Sequence, residues 1–506
     1  MYGGIKMQLK KTVYNLLSGI IGQIITIVLG IVIPRLFIVS LGSEINGLVS
    51  SISQIFVYFG LLEAGVGLAT TQALYKPIAQ ENKNDINAIL VATDRYYKKT
   101  GTIYLIGVLV LSVIYPIVIN SQINKFTIFI VIIFQGLGGV LSYFFQGKYR
   151  LLLQAEGKGY ILTNLSTVIQ IFISVTKIIL LLNGFNVVAI QAMYFFFNIV
   201  QMLYITIYIS KQYKWINLQV KPNNEAISQK NFVLIHQISG MIFSNTDVLI
   251  LTFFCDLKIV SIYTMYNLLF NMVNTFMSTI SGSISFQLGQ SYSVNKKKFI
   301  KLYDVYETYY IALNFTVCAT TYLFILPFMK LYTRGITDAN YTDSILPILF
   351  VSVNLLSNGK LPSNQVINVA GHFEETKWRG ICEAVLNIVV SIFGVLKFGL
   401  YGVLIGTIVA LLYRANDMII YANIKIIERS PIKTYFRWGI NIVIFFLVIN
   451  IGQRIVWNNT TYIHIIFHAG LFCFFVGIVY FIVDSLMEWR NVREIFSCFS
   501  SKIKKY

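Results

Sequence analysis

The stretch VYNLLSGIIGQIITIVLGIVI, residues 13–33, holds no charged residue and is long enough to cross a bilayer. Pro34 and Arg35 interrupt it, and LFIVSLG continues the apolar pattern to Gly42. After the polar break Ser43-Glu44-Ile45-Asn46 a second long apolar run follows, and it carries Glu63 within LLEAGVGLA. A guanidinium and a carboxylate inside two consecutive spans cost roughly 2.5–3.5 kcal/mol each on insertion, and such residues usually face a cavity. The reading is an all-α polytopic membrane protein with a wet, charged interior.

The rest of the chain fits that reading. Of its 506 residues 56% are hydrophobic and 12% charged, a balance suited to a helical membrane bundle and not to a soluble chain of this size. Apolar runs long enough to span fall near 13–41, 46–75, 100–120, 126–147, 160–183, 187–210, 231–255, 259–291, 308–332, 344–371, 379–397, 400–424, 436–453 and 462–484, about fourteen transmembrane helices. The net charge of +19 would point to nucleic acid in a soluble protein. With the N-terminus placed in the cytoplasm, however, 30 of the 40 lysines and arginines fall on the inner side and 6 on the outer. The positive-inside rule then puts both termini in the cytoplasm and explains the basic charge with no nucleic-acid partner. The remaining four, Arg35, Lys177, Lys360 and Arg414, lie at membrane depth.

Lys6, Lys10 and Lys11 precede an apolar run too long for a signal-peptide core, so the first helix reads as retained. The inner stretches 76–99 and 211–230 read as longer polar loops, whereas the outer loops are short and leave no domain for conventional catalysis. Cys255, Cys318, Cys382, Cys473 and Cys498 are scattered, with neither a disulfide frame nor zinc-ligand spacing. His464 and His468 are four apart but lack an acidic or thiol partner nearby, so no metal site is read there. There is no Walker A motif, phosphate-cradling glycine loop or nucleophile elbow. No catalytic residue and no cofactor are expected, and a proton gradient, a sodium gradient or substrate mass action is left as the driving force.

The sequence also repeats weakly at one offset. Gln154-Ala155-Glu156-Gly157-Lys158 is similar to Asn368-Val369-Ala370-Gly371-His372, and 371 − 157 is 214. The same step takes Gly47-Leu48-Val49 to Ser261-Ile262-Tyr263, and Gln80-Glu81-Asn82-Lys83 to Val294-Asn295-Lys296-Lys297. Two six-helix lobes related by a parallel internal repeat follow, 13–210 and 231–425. They are flanked by an N-terminal segment 1–12 and joined by a cytoplasmic linker 211–230. Two further helices lie in 436–484, before a cytoplasmic tail 485–506. Lobes of this kind enclose a substrate site and rock around it.

PRLFIVSLGSEINGLVSSISQIFVYFGLLEAGVG (34–67), ALYKPIAQ (73–80), LLQAEGKG (152–159) and TDVLILTFFCDLKIVSIYTMYN (246–267) resemble the bacterial polysaccharide-biosynthesis flippases. These O-antigen and capsular repeat-unit translocases belong to the multidrug/oligosaccharidyl-lipid/polysaccharide exporter superfamily. The resemblance covers most of the chain as a pattern of helix lengths and short landmarks, strongest around Arg35, Gly42, Gly47 and Glu63. It implies a bacterial inner-membrane protein that carries an undecaprenyl-diphosphate-linked oligosaccharide from the inner to the outer leaflet. It further implies a central cavity faced by membrane-embedded cations, the lipid bilayer as surroundings, and other polysaccharide-assembly membrane proteins as partners.

The diphosphate of such a substrate suits arginine, whose planar fork makes paired, charge-assisted hydrogen bonds. Arg35, beside the Pro34 kink, is the leading substrate-binding residue, with Lys360, Arg414 and Lys177. Lys360 lies two residues before Pro362 and marks a broken helix. Lys177 lies near the outer end of its span, where snorkelling to the interface competes with a cavity role. Glu63, Asp247 and Asp417 are the gating or ion-coupling acids. Asp247 lies within two residues of Arg35 after the repeat offset, so the two are expected to pair in an outward-closed state, unless they form a static ion pair. Arg414 and Asp417 are three apart, and an intrahelical pair is the plain expectation. One alternative is a cation-coupled multidrug or metabolite antiporter of the same superfamily, disfavoured because membrane-depth cations are at least as numerous as acids. The other, a membrane polymerase or ligase, lacks the large outer loop it needs.

Overall fold

The computed structural model describes residues 29–63, 66–225 and 245–489, and every regular element among them is helical. The first half contains α1 (Leu29–Leu41), α2 (Ser43–Phe59), α3 (Val66–Ala79), α4 (Lys83–Val118), α5 (Lys125–Leu141), α6 (Gly147–Ala155), α7 (Gly159–Leu182) and α8 (Val187–Gln212). The second contains α9 (Asn245–Phe254), α10 (Leu257–Val294), α11 (Lys296–Tyr332), α12 (Ile345–Gly359), α13 (Leu361–Ala370), α14 (Phe373–Phe398) and α15 (Leu400–Tyr421). Then come α16 (Ile432–Arg454) and α17 (Tyr462–Met487). Residues 1–28, the end of the linker and the start of the seventh expected span, and 490–506 lie outside the described residues.

Eleven helices among the described residues are long and apolar enough to cross a membrane. With α1, α9 and the 38-residue α10, they follow the order of the fourteen expected spans. One expectation is corrected. The polar stretch 76–99 is not a loop: α3 runs to Ala79, and α4 starts at Lys83 under an Asn82 cap whose side chain accepts from Asp85 N. At a rise of 1.5 Å per residue the 36 residues of α4 extend about 54 Å, well beyond a hydrocarbon core of about 30 Å. Charged residues outside the core do not end a helix that is capped and whose polar turns, 83–99, contain no proline or glycine, and so the apolar run understated its length.

The internal repeat is visible in the turns. Asn295 caps α11 by accepting from Lys298 N, as Asn82 caps α4. Gly157 (φ 70°) and Gly371 (φ 74°) both take the left-handed conformation that ends a helix and favours glycine. In each half the residue that follows then bonds a tyrosine late in, or just after, the sixth span. Lys158 Nζ lies 2.8 Å from Tyr213 Oη, and His372 Nδ1 lies 3.0 Å from Tyr421 Oη. Tyr213 in turn donates to Glu156 at 2.5 Å, and burial together with that carboxylate pushes its phenol pKa up.

The described residues up to Thr264 form one compact unit and those from Met265 onward another. In the first, α9 and the start of α10 lie along α2 through a row of neutral hydrogen bonds. Asn46 donates to Ser261 Oγ at 2.8 Å, Thr252 to Ser51 Oγ at 2.8 Å, and Tyr58 Oη is 2.9 Å from Thr246 Oγ1. In the second, α16 and α17 are tied to α11 by buried charge. Arg437, 1% exposed, holds Asp304 and Glu307 of α11 together with Glu488 beyond α17. Arg429 and Lys433 add further pairs to Asp304, Glu307 and Glu488.

Helices α14 and α15 cross closely. A Cβ on Gly402 would stand 2.0 Å from Gly394 O, so only glycine admits this approach. Gly402→Ala is therefore expected to destabilise the protein by roughly 1–3 kcal/mol or more through overpacking. Gly439→Ala, where an added methyl meets nothing within 4 Å, is expected to gain about 1 kcal/mol of helix propensity. Thermal unfolding of the detergent-solubilised variants checks both signs.

Candidate functional site

The second unit brings three of the seven expected residues together. Lys360 sits at the junction of α12 and α13, where Pro362 occupies the first turn of α13. The backbone stays helical there, with Lys360 N on Leu356 O at 3.2 Å and Asn364 N on Lys360 O at 3.0 Å. The break expected at Lys360 is present as an element boundary: α12 ends at Gly359 and α13 starts at Leu361, with Pro362 in its first turn, where a proline removes only a donor that lacks an intrahelical acceptor. Lys360 Nζ reaches Glu383 Oε1 of α14 at 2.5 Å. Arg414 of α15 lies with Nε 3.4 Å from Glu383 Oε2 and donates through Nη1 to Asp417 Oδ2 at 2.8 Å. The intrahelical pair expected for Arg414 and Asp417 is present. Arg379 of α14 binds the other oxygen of Asp417, and its guanidinium stands 4.7 Å from the centre of the Tyr421 ring.

These five side chains form a chain of charges in the order Lys360, Glu383, Arg414, Asp417, Arg379. All but Arg379 are largely buried: the side chains of Glu383 and Arg414 are only 10% and 9% exposed. Arg379, at 38%, is the accessible end. Within these five side chains three cations share two carboxylates, and Glu375 acts on the same Tyr421 that Arg379 covers. A buried pair is retained only where each charge is met by the other and by further hydrogen bonds, and sharing the two acids among three cations achieves this. An incoming anion would find donors already aligned.

Glu383 and Arg379 are the members that sequence reasoning missed. Glu383 lies only four residues into the run 379–397 and reads as the fringe of a span, while Arg379 reads as an inner-loop charge. Their i, i+4 spacing, next to an apolar run, was the available signal.

The other four expected residues belong to the first unit. Arg35 is half-buried on α1, and Asp247 of α9 is buried and accepts from Tyr263 Oη at 3.1 Å. Glu63 follows the 3-10 turn Gly60–Leu62 that interrupts the second span. Three tyrosines gather at this break. Tyr97 donates to Glu63 Oε1 at 2.5 Å, Tyr96 to Leu62 O at 3.3 Å and Tyr143 to Phe59 O at 3.4 Å. Among the described residues Glu63 has no ion-pair partner. Lys177 of α7 stands with Nζ 4.4 Å from the Phe37 ring centre, so it is folded back over an aromatic face.

Solved structures share this fold. The chain superposes on a lipid II flippase, MurJ, in an inward closed conformation, with a TM-score of 0.70 at 12% identity, over 94% of this chain and 99% of that one. A multidrug resistance MATE family transporter in an inward-facing conformation gives 0.65 at 17% identity, over 79% of this chain and 94% of that one. A MATE protein in a bent conformation gives 0.52 at 16%, over 86% and 97%. No family model matches the chain, and no curated protein does. At these identities the likeness is one of fold. The protein is an all-α multi-pass membrane protein that shares its fold with these solved structures.

Removing Glu383 should expose how far the cluster is balanced. Glu383→Gln leaves Lys360 and Arg414 short of a counter-charge and is expected to cost about 3–5 kcal/mol of stability. Adding Lys360→Met should recover a large part of that loss. A double-mutant cycle on thermal unfolding measures this, and additive losses would deny the coupling.

Proposed function

We propose that this protein moves an anionic lipid-linked saccharide, of the undecaprenyl-diphosphate class, from the inner to the outer leaflet of a bacterial cell membrane for cell-surface polysaccharide assembly. The observation that carries this reading is the Lys360–Glu383–Arg414–Asp417–Arg379 cluster at the junction of a spanning helix, in which three cations share two carboxylates. Arginine and lysine together supply the fork and the point charge that a diphosphate takes. Arg35 is assigned to the same substrate from the first lobe, and both termini are placed in the cytoplasm. A fold held in common with a lipid II flippase, matched over nearly the whole chain, supports a lipid-linked substrate. Glu63, Asp247 and Asp417 are assigned to ion coupling and gating, with Arg35 and Asp247 pairing when the outer side is closed.

Cation-coupled multidrug export has one specific observation in its favour. The Glu63 carboxylate, bonded by Tyr97 and without an ion-pair partner among the described residues, is suited to a proton or a metal cation. The excess of cations elsewhere at membrane depth weighs against a cationic cargo.

Proteoliposomes carrying a labelled undecaprenyl-diphosphate oligosaccharide separate the two readings. The wild type is expected to move the saccharide to the opposite leaflet, and Arg35→Ala or Arg379→Gln to slow it by about tenfold or more, as befits one lost charge-assisted contact. Well-folded protein that leaves the saccharide in place but takes up a cationic dye against a proton gradient is the antiporter.

A cycle that opens the outer side must part α9 from α2. Joining them through Ser51→Cys and Thr252→Cys should stop transport under oxidation and restore it on reduction. Undiminished transport by the cross-linked protein would rule out that movement.

A further inference from the structure

Inside the first unit a cavity of about 200 Å³ lies among α2, α5, α7 and α8, away from the charge cluster of the second unit in sequence and in chemistry. Its polar lining is Ser53, Gln135, Lys177, Gln191 and Tyr194. Three of these groups are incompletely satisfied. Gln135 Nε2 donates to Ser53 Oγ at 2.6 Å, and Ser53 passes its own hydrogen to Val49 O at 2.7 Å, but Gln135 Oε1 is buried with no hydrogen-bond partner. Among the described residues no carboxylate pairs with Lys177, and the Phe37 ring is its only compensation. Gln191, 6% exposed, likewise has no side-chain hydrogen bond among the described residues.

A cation at membrane depth calls for a counter-charge, and an orphaned amide oxygen calls for a hydroxyl or N–H donor. Water could meet the second demand but not the first. A phosphate group would bring two charges to a pocket whose lining offers one ammonium and no guanidinium. A single carboxylate on a hydroxylated ring meets both demands, and the cavity holds about the volume of six or seven waters, the scale of one sugar ring. We propose that this pocket receives one acidic sugar, a uronic acid unit of the carried saccharide, with its carboxylate on Lys177 Nζ and its hydroxyls on Gln135 and Gln191. The proposal rests on the saccharide reading above and makes Lys177 a specificity-determining residue, set apart from the diphosphate site.

The test begins with the full chain in nanodiscs, titrated calorimetrically with free galacturonate, with galactose and with chloride. Galacturonate is expected to bind about tenfold tighter than galactose, the difference made by one charge-assisted contact. Lys177→Met should abolish that preference and Lys177→Arg should keep it, with unchanged thermal unfolding in both showing that the fold is intact. Equal binding of the two sugars by the wild type, a preference that survives Lys177→Met, or displacement of galacturonate by equimolar chloride would each overturn the proposal. The same proteins are then given lipid-linked saccharides that end in galacturonate or in galactose. Preferential binding without flipping of either lipid leaves the pocket standing and removes the flippase reading. Flipping of both lipids at one rate, with no binding preference, removes the pocket and leaves the flippase.

Discussion

A charge at membrane depth must find its opposite within the protein, and in the second unit Glu383 meets that demand for two cations at once. Its two oxygens face Lys360 from the α12–α13 junction and Arg414 from α15, so three spanning segments are held by one carboxylate. Lys360 stands between α12 and α13, with Pro362 in the first turn of α13. Asp417 extends the chain of charge outward to Arg379, where it becomes accessible.

The same constraint accounts for how the last two helices stay attached. In the first unit Asp94 of α4 is met within the lobe, by Lys148 of α6 at 2.5 Å and by Lys98 at 2.9 Å. Early in the corresponding helix of the second unit, Asp304 and Glu307 are met instead by Arg429, Lys433 and Arg437, which precede or begin α16. Acids near the start of the third helix of each half are thus satisfied in one case by the lobe and in the other by the appended pair. Stripping α16 away would remove Lys433 and Arg437 and leave Arg429 alone to meet two buried carboxylates, a cost of several kcal/mol. The appended helices are therefore part of the second unit's stability.

Helix class, number and order could be read from the sequence because each follows from apolar length, and the weak 214-residue repeat was legible at the positions where geometry restricts residue choice. Gly157 and Gly371 are such positions, since each ends a helix with positive φ. Helix extent was not legible from hydropathy, as α4 and α11 show by continuing well past the apolar runs inside them. At the site, Lys360, Arg414 and Asp417 stood out because a charge in an apolar run is conspicuous. Glu383 and Arg379 did not, because a charge near the edge of a run looks like the end of a span. Pairing between different helices, such as Lys360 with Glu383, depends on tertiary approach, and one sequence carries no record of it.

Contacts between helices are of two kinds, and the difference matters for movement. Where α16 and α17 meet α11, and where α12 meets α14 and α15, the contacts are buried ion pairs, whose separation strands a charge and costs several kcal/mol. Where α9 and α10 meet α2, the contacts are Asn46 with Ser261, Ser51 with Thr252 and Tyr58 with Thr246. Neutral bonds of this kind contribute about 0.5–1.5 kcal/mol each, so the row is worth roughly 2–4 kcal/mol. Reversing a two-state population from 1:99 to 99:1 takes about 5.5 kcal/mol of differential binding, which a charged substrate can supply against such a row but not against the ionic networks as well. Under the proposed function, the cycle parts the helices joined by hydroxyls and carries those joined by ion pairs as rigid bodies.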